Sequence, residues 1–249
     1  MTDFYTLVWI WAGIGILVFF LLVFFNIKAP YGRHSSDQWG PVIDNKWGWF
    51  WMELPAFIVM PLLALIGPEP KSEYLYLLIF LWSYHYFFRT FVFPFRLKTK
   101  NKKMPLVIVC SALLFNGING LVNGYFLGFV SKSSQEVLSI NVMIGLIVFC
   151  LGMIINRHAD KKLISLRKKD QGYFIPKGGL FNYISCPNHF GEIVEWAGFA
   201  IIAWSVPALS FFIWTFCNLV PRALNHHQWY QSYFKDYPNN RKAIIPFIW

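Results

Sequence analysis

Long apolar runs separated by short polar segments dominate the chain. The first extends from Tyr5 to Phe25, and others from Phe50 to Ile66, Leu75 to Phe93, Leu106 to Val130 and Leu138 to Ile155. Two shorter runs, Ile193 to Trp204 and Val206 to Val220, are parted by little more than Ser205, with Pro207 close behind. At 1.5 Å per residue, about 20 residues of helix cross a hydrocarbon layer of about 30 Å. The pattern predicts seven transmembrane helices and an all-α integral membrane protein. The first run is expected not to be a cleavable leader, because Asp3 is the only charge before it and no small-residue cleavage site follows.

The polar segments alternate in charge. Those after the first, third and fifth runs hold Lys28, Arg33 and Lys46; Arg96, Lys98, Lys100, Lys102 and Lys103; and Arg157, Lys161, Lys162, Arg167, Lys168, Lys169 and Lys177. The tail adds Arg222, Lys235, Arg241 and Lys242. Those after the second, fourth and sixth hold only Lys71 and Lys132, beside Glu69, Glu73 and Glu136. Cytoplasmic loops are the basic ones, so the N-terminus is expected outside and the C-terminus in the cytoplasm. A bacterial inner membrane and an endoplasmic reticulum would give the same asymmetry.

Composition agrees. Of 249 residues, 56% are hydrophobic, 20% aromatic and only 14% charged, with mean hydropathy +0.44. A soluble globule carries about 25% charged residues, and a disordered chain lacks this apolar content. The four cysteines form no CxxC pair and no disulfide framework. The net charge of +10 is divided among loops instead of lining one groove, so nucleic acid is not an expected partner. No repeat or linker divides residues 1–249, which are expected to form a single helical membrane domain. Gly117, Gly120, Gly124 and Gly128 include small residues four apart, a spacing for close helix packing. There is neither a GxGxxG after a strand nor a Walker motif.

Ionisable groups inside apolar runs are costly and therefore informative. Glu53, in Trp51-Met52-Glu53-Leu54-Pro55, reads equally as a snorkelling interfacial acid or a functional one. Tyr86 and Arg89, three apart beside His85, share one helix face. Singly they read as an aromatic-belt residue and a positive-inside anchor, and together with an acid as the polar end of an apolar pocket. Asn156 and Asp160 are one turn apart, followed by Arg167. Amides and carboxylates suit adenine and ribose, and arginines suit phosphates. Glu192 and Glu195 precede Trp196, and Arg222, His226 and Tyr230 fall on one face at i, i+4 and i+8. Adjacent His226 and His227 point apart on a helix and no cysteine is near, so an anionic, ring-containing ligand fits this face better than a metal, and no metal site is expected.

Long segments resemble the steroid 5α-reductase family. They are Gly152-Met-Ile-Ile-Asn156-Arg-His-Ala-Asp160, Ile175-Pro-Lys-Gly-Gly179-Leu-Phe, Asn188-His-Phe-Gly-Glu192-Ile-Val-Glu195-Trp196 and Asp236-Tyr-Pro-Asn-Asn-Arg241-Lys-Ala-Ile-Ile-Pro246-Phe-Ile. Shorter matches are Tyr31-Gly-Arg, Glu53-Leu-Pro55, His85-Tyr86-Phe, Arg89-Thr-Phe and Asn123-Gly-Tyr. Met52 and Phe174 depart from the family pattern, standing where Gln and Arg are common.

The resemblance implies a seven-helix reductase that uses NADPH to reduce the 4,5 double bond of a 3-oxo-Δ4 steroid such as testosterone or progesterone; membrane lipid is a further expected partner and a monomer the expected state, on which the residues themselves are silent. It implies that residues 1–130 mainly form the steroid pocket and 138–249 the NADPH site. By motif, Glu53 and Tyr86 would hold the steroid carbonyl. Asn156, Asp160, Arg167, Asn188, Glu192, His226 and Tyr230 would line the cofactor site, with Arg89 and Lys102 contributing less. Hydride addition at C5 leaves charge on the C3 oxygen, so donors must face that oxygen. Tyr86 is one, and Glu53 is another when protonated, the form a dry apolar pocket favours. Competing functions are an S-adenosylmethionine-dependent membrane methyltransferase, a reductase of enoyl-CoA or polyprenol substrates, and a lipid-binding scaffold. Glu53-Leu-Pro55 and His85-Tyr86-Phe favour the steroid reductase.

Overall fold

A computed structural model describes residues 2–28, 39–98, 102–132, 135–167 and 172–248. The Tyr31-Gly-Arg33 match and Lys100, Lys168 and Lys169 lie outside them. Helix α1 spans Thr2–Phe24, α2 Asn45–Ile66 and α3 Glu73–Phe87. A π turn at Phe88–Val92 joins α3 to the short α4, Phe93–Arg96. Beyond it come α5, Leu106–Tyr125, which also ends in a π turn, Phe126–Val130, then α6, Ile140–Leu166, α7, Pro187–Ala203, and α8, Val206–Tyr233. Each apolar run of the sequence is thus mainly helical. Four helices, α1, α2, α5 with its π turn, and α6, are long and apolar enough to cross a membrane. Leu7, Ile10, Leu17 and Phe24 of α1 lie exposed, as lipid-facing side chains do.

The expectation of helices alone misses one feature. Strands β1, Val42–Asp44, and β2, Lys103–Pro105, pair antiparallel with Val42 opposite Pro105. The backbone N–H of Leu106 donates to the Pro41 carbonyl at 2.8 Å and that of Asn45 to the Lys102 carbonyl at 2.9 Å. Three-residue strands are too short to display an alternating pattern. Asp44 then caps α2, its carboxylate accepting from the Lys46 N–H at 2.9 Å.

Helices α6, α7 and α8 outrun their apolar runs. Helix α6 continues past Ile155 to Leu166, α7 begins at Pro187 instead of Ile193, and α8 continues past Val220 to Tyr233. Hydropathy sees only the greasy part of a helix. The extensions are polar on one side, and Pro187 starts α7 where its missing N–H costs nothing.

The chain divides into two compact units. One comprises the first turns of α1 with α2 to α5 and the starts of α6 and α8. Here α5 lies on α2 through small residues, as their spacing predicts. A Cβ at Gly120 would crowd Val59 and Met60, one at Gly124 the Met60 carbonyl, and one at Gly128 the Leu63 carbonyl, whereas Gly117 faces open space. The indole N–H of Trp82 on α3 donates to the Ala56 carbonyl of α2 at 2.8 Å.

The other unit holds the rest of α1, most of α6 and α8, all of α7 and the tail. Gly145 and Gly152 on α6 face Gly191 and Gly198 on α7, each pair seven residues apart and so on one helix face. A Cβ at Gly152 would strike the backbone nitrogen of Glu195, and one at Gly191 that of Asn156. Phe211 of α8 packs edge-on against Trp196 of α7, ring centroids 4.6 Å apart. The tail docks on the segment ahead of α7. The Lys242 N–H donates to the Tyr183 carbonyl at 2.8 Å, and the Ser185 N–H to the Lys242 carbonyl at 2.9 Å. Cys186, Val220, Ala223 and Ile244 close a buried core beneath them. The Ile175-Pro-Lys-Gly-Gly179 match is a turn that needs its glycines, with φ of +90° at Gly178 and +57° at Gly179.

Candidate active site

The first unit gathers polar side chains among aromatic rings. Glu53 stands on α2 beside Pro55, Tyr86 near the end of α3, and Arg89 in the π turn that follows; all are buried. A π turn widens the helix by one residue and re-aims the side chains within it. Arg89 Nε lies 3.6 Å from Glu53 Oε1. Its guanidinium rests 5.1 Å from the Trp49 ring and 4.6 Å from the Phe93 ring, so aromatic faces carry the charge on the other sides. Asn116 of α5 completes the group: Nδ2 donates to the Met52 carbonyl at 2.6 Å and lies 3.4 Å from Glu53 Oε2, and Oδ1 accepts from the Tyr86 hydroxyl at 3.5 Å.

The group joins Glu53, Tyr86 and Arg89 as the sequence anticipates, with two differences. Arg89, implied as a lesser cofactor contact, faces the acid. The walls around Glu53 are also not simply apolar, since a guanidinium faces one oxygen and an amide the other. Asn116 is absent from the sequence-based candidates. It sits mid-run with Asn119 and Asn123 at i+3 and i+7 on one face of α5, and that stripe of amides at membrane depth is the signal that could have found it. Lys102 is half-buried just ahead of β2, its carbonyl accepting from the Asn45 N–H.

In the second unit, the polar extensions of α6 and α7 meet where the glycine seam ends. Asn156 Nδ2 donates to the Asn188 carbonyl at 3.0 Å and lies 3.4 Å from Glu192 Oε2. Asp160, one turn further along α6, is buried, and Arg167 follows the end of α6, half-buried. On α8, the His226 ring lies 5.6 Å from that of His189, the neighbour of Asn188, and Tyr230 stacks on Tyr237 at 5.2 Å with an interplanar angle of 10°. Glu195 is fully buried on the face of α7 that meets Gly152. Among the described residues no group of His, Cys, Asp and Glu could hold a metal ion.

Next to this face, Ser185 Oγ lies 2.6 Å from His227 Nδ1 and 2.6 Å from the Tyr237 hydroxyl. Burial, and then the charge of Lys242, lower the His227 pKa below its ordinary 6.5, whereas burial raises that of Tyr237 against the opposing pull of Ser185 and Arg241. The contacts form one hydrogen-bond chain through the Ser185 hydroxyl, which also donates to the Lys242 carbonyl at 3.3 Å. Arg241 adds a bond from its guanidinium to the Pro176 carbonyl at 2.9 Å and lies over the Tyr237 ring at 5.2 Å.

Apolar helices long enough to cross a membrane, with an acid, a phenol and a guanidinium buried among them and amides, carboxylates and rings on polar helix extensions, mark an integral membrane protein. A family profile described as 3-oxo-5-alpha-steroid 4-dehydrogenase matches residues 102–249. The steroid 5-alpha-reductase DET2 of Gossypium hirsutum is 40% identical over 230 residues, which cover 90% of this chain and 89% of the relative. The 3-oxo-5-alpha-steroid 4-dehydrogenase 1 of Bos taurus is 37% identical over 242 residues (95% and 93%), and the corresponding enzyme 2 of Mus musculus 39% over 233 (92% and 91%). The chain belongs to the 3-oxo-5-alpha-steroid 4-dehydrogenase family.

Proposed function

We infer that the protein reduces the 4,5 double bond of 3-oxo-Δ4 steroids with NADPH. The observation that carries this assignment is the cluster of Glu53, Tyr86 and Arg89 inside apolar helices, in a chain whose relatives are named for that reaction.

Bound NADPH would supply the hydride. The chain's own contribution begins at the ketone. Tyr86 donates to the C3 oxygen, and Glu53, protonated in the ternary complex against the pull of the Arg89 guanidinium, donates beside it, so the charge that develops there meets two donors; one such donor is worth about 3 to 4 kcal/mol. As charge moves onto that oxygen, Glu53 yields its proton, and Arg89, 3.6 Å from Oε1, is placed to balance the carboxylate left behind. A solvent proton then adds at C4 while the proton on the C3 oxygen returns to Glu53, which leaves the saturated ketone and restores the neutral acid.

The second constellation suits the dinucleotide by the chemistry of its donor set. Asn156, Asp160, Asn188 and Glu192 offer amides and carboxylates to hydroxyl and amino groups, His226 and Tyr230 offer rings and polar tips, and Arg167 offers charge to phosphate. By the alternation of loop charge, the seven apolar runs are assigned to the membrane, with the N-terminus outside, the C-terminus in the cytoplasm, and the cofactor taken from the cytoplasm.

The test is incubation of the purified protein in detergent with testosterone or progesterone and either NADPH or S-adenosylmethionine, followed by mass analysis. A gain of two hydrogens with NADPH is expected. A methyl gain, or no reduction, would overturn the assignment. Glu53→Ala is expected to abolish turnover while NADPH still binds. Asp160→Ala is expected to weaken NADPH binding first.

A further inference from the structure

We propose that Asn116 is a positioning residue for reduction, setting the spacing between the acid on α2 and the phenol on α3. The proposal rests on the assignment of Glu53 and Tyr86 to the ketone.

Asn116 is 5% exposed in the middle of an apolar helix, a depth at which an amide is tolerated only with partners. Asn119 and Asn123 of the same helix give their amides to carbonyls four residues back, at 2.8 and 3.0 Å. Asn116 reaches across to other helices instead. Its shortest contact, 2.6 Å from Nδ2 to the Met52 carbonyl, fixes the orientation of the amide, because a flipped side chain would set Oδ1 against that carbonyl as two facing acceptors. The second hydrogen of Nδ2 is then left for Glu53 Oε2 at 3.4 Å, and Oδ1 for the Tyr86 hydroxyl at 3.5 Å.

One side chain anchored to the backbone of α2 thus touches both members of the pair. An amide does not titrate at working pH, so it holds the acid and the phenol without competing for the proton. Contacts of 3.4 and 3.5 Å are long, as catalytic contacts in ligand-free sites commonly are. A ketone oxygen can therefore take the phenol hydrogen by rotation of the hydroxyl alone. The Met52 bond is untouched by that exchange and keeps Asn116 in register with Glu53 throughout. With Arg89 on Oε1 and Asn116 on Oε2, the carboxyl is held from two sides, which is the preorganisation that donors to a developing charge require.

The experiment compares wild type, Asn116→Leu, Asn116→Asp and Glu53→Ala in detergent. It measures steady-state reduction of testosterone per NADPH-binding chain, and the infrared stretch of testosterone labelled with carbon-13 at C3, bound together with NADP+. Both Asn116 variants are expected to lose about tenfold or more in kcat, with the steroid KM moving far less, as misplacing a catalytic group does. The carbonyl stretch should return towards its free frequency, which a merely structural role would not produce. Should Asn116→Leu fail to bind NADPH, the isosteric Asn116→Asp decides. Unchanged kcat in the folded variants, or a fall in kcat with an unmoved stretch, overturns the role of Asn116 while Glu53→Ala remains inactive. Normal turnover and an unmoved stretch in Glu53→Ala would instead overturn the assignment of the pair itself.

Discussion

At the scale of single residues, the polar group of the first unit is governed by how few donors can reach one oxygen. Tyr86 is buried, with its hydroxyl held by Asn116 at 3.5 Å. Tyr86→Phe keeps the ring that packs 5.1 Å from Trp82 and removes only the donor. It should lower kcat by about a hundredfold, the scale of one lost oxyanion donor, while thermal stability and NADPH affinity stay at wild-type values; equal kcat in the variant would exclude Tyr86 as a donor. The acid and the phenol were legible in the sequence because charge and hydroxyl stand out in apolar runs. Asn116 was not, because an asparagine inside a helix is ordinary until its partners across the bundle are known. The sequence grouped Arg89 with Tyr86 and an acid, but did not show the approach of its Nε to Glu53 Oε1. An α-helical wheel places Arg89 on a face adjoining Tyr86 but says nothing of the π turn that carries it.

At the scale of elements, hydropathy found each long helix among the described residues and misjudged the ends that matter most for the second constellation. Asn156, Asp160, Asn188, Glu192, His226 and Tyr230 all lie on stretches of α6, α7 and α8 outside the apolar runs. What brings α6 and α7 together is the glycine seam, so Gly152→Ala should strike the backbone of α7. Overpacking of this kind costs about 1 to 3 kcal/mol, and a lower Tm in detergent with weakened NADPH binding is expected. Gly117→Ala, which meets nothing within 4 Å, should leave both intact. Equal behaviour of the two variants would exclude the seam as the reason for close packing. The Ser185, His227 and Tyr237 chain adds a dependence on pH. The folded-state pKa of His227 lies below 6.5, so between that value and 6.5 the unfolded chain binds more protons than the folded one. Its contribution is therefore intact above about 6.5 and lost as the pH falls further. Thermal unfolding at pH 7.5 and 5.5 should show a drop in Tm that is smaller in His227→Gln; an equal drop would exclude this histidine as its source.

For the whole molecule, contacts divide the chain into two compact units whose boundaries cut through α1, α6 and α8. The number of crossings has a simple consequence in parity. Seven spans put the termini on opposite sides of the membrane, whereas four, the number of helices among the described residues that qualify by length and apolarity, would put them on the same side. Tags at the two ends should be labelled by impermeant reagents from opposite faces of sealed vesicles, and labelling from one face would refute the seven-span assignment. The docking of Lys242 on Tyr183 and Ser185 reaches further, into biogenesis. A ribosome delivers residues in order, so the stretch that pins the start of α7 emerges after all of α7 and α8 have left the exit tunnel. Order at the start of α7 must then follow synthesis of the tail, and a chain stalled before Lys242 would lack the two backbone bonds that pin this segment.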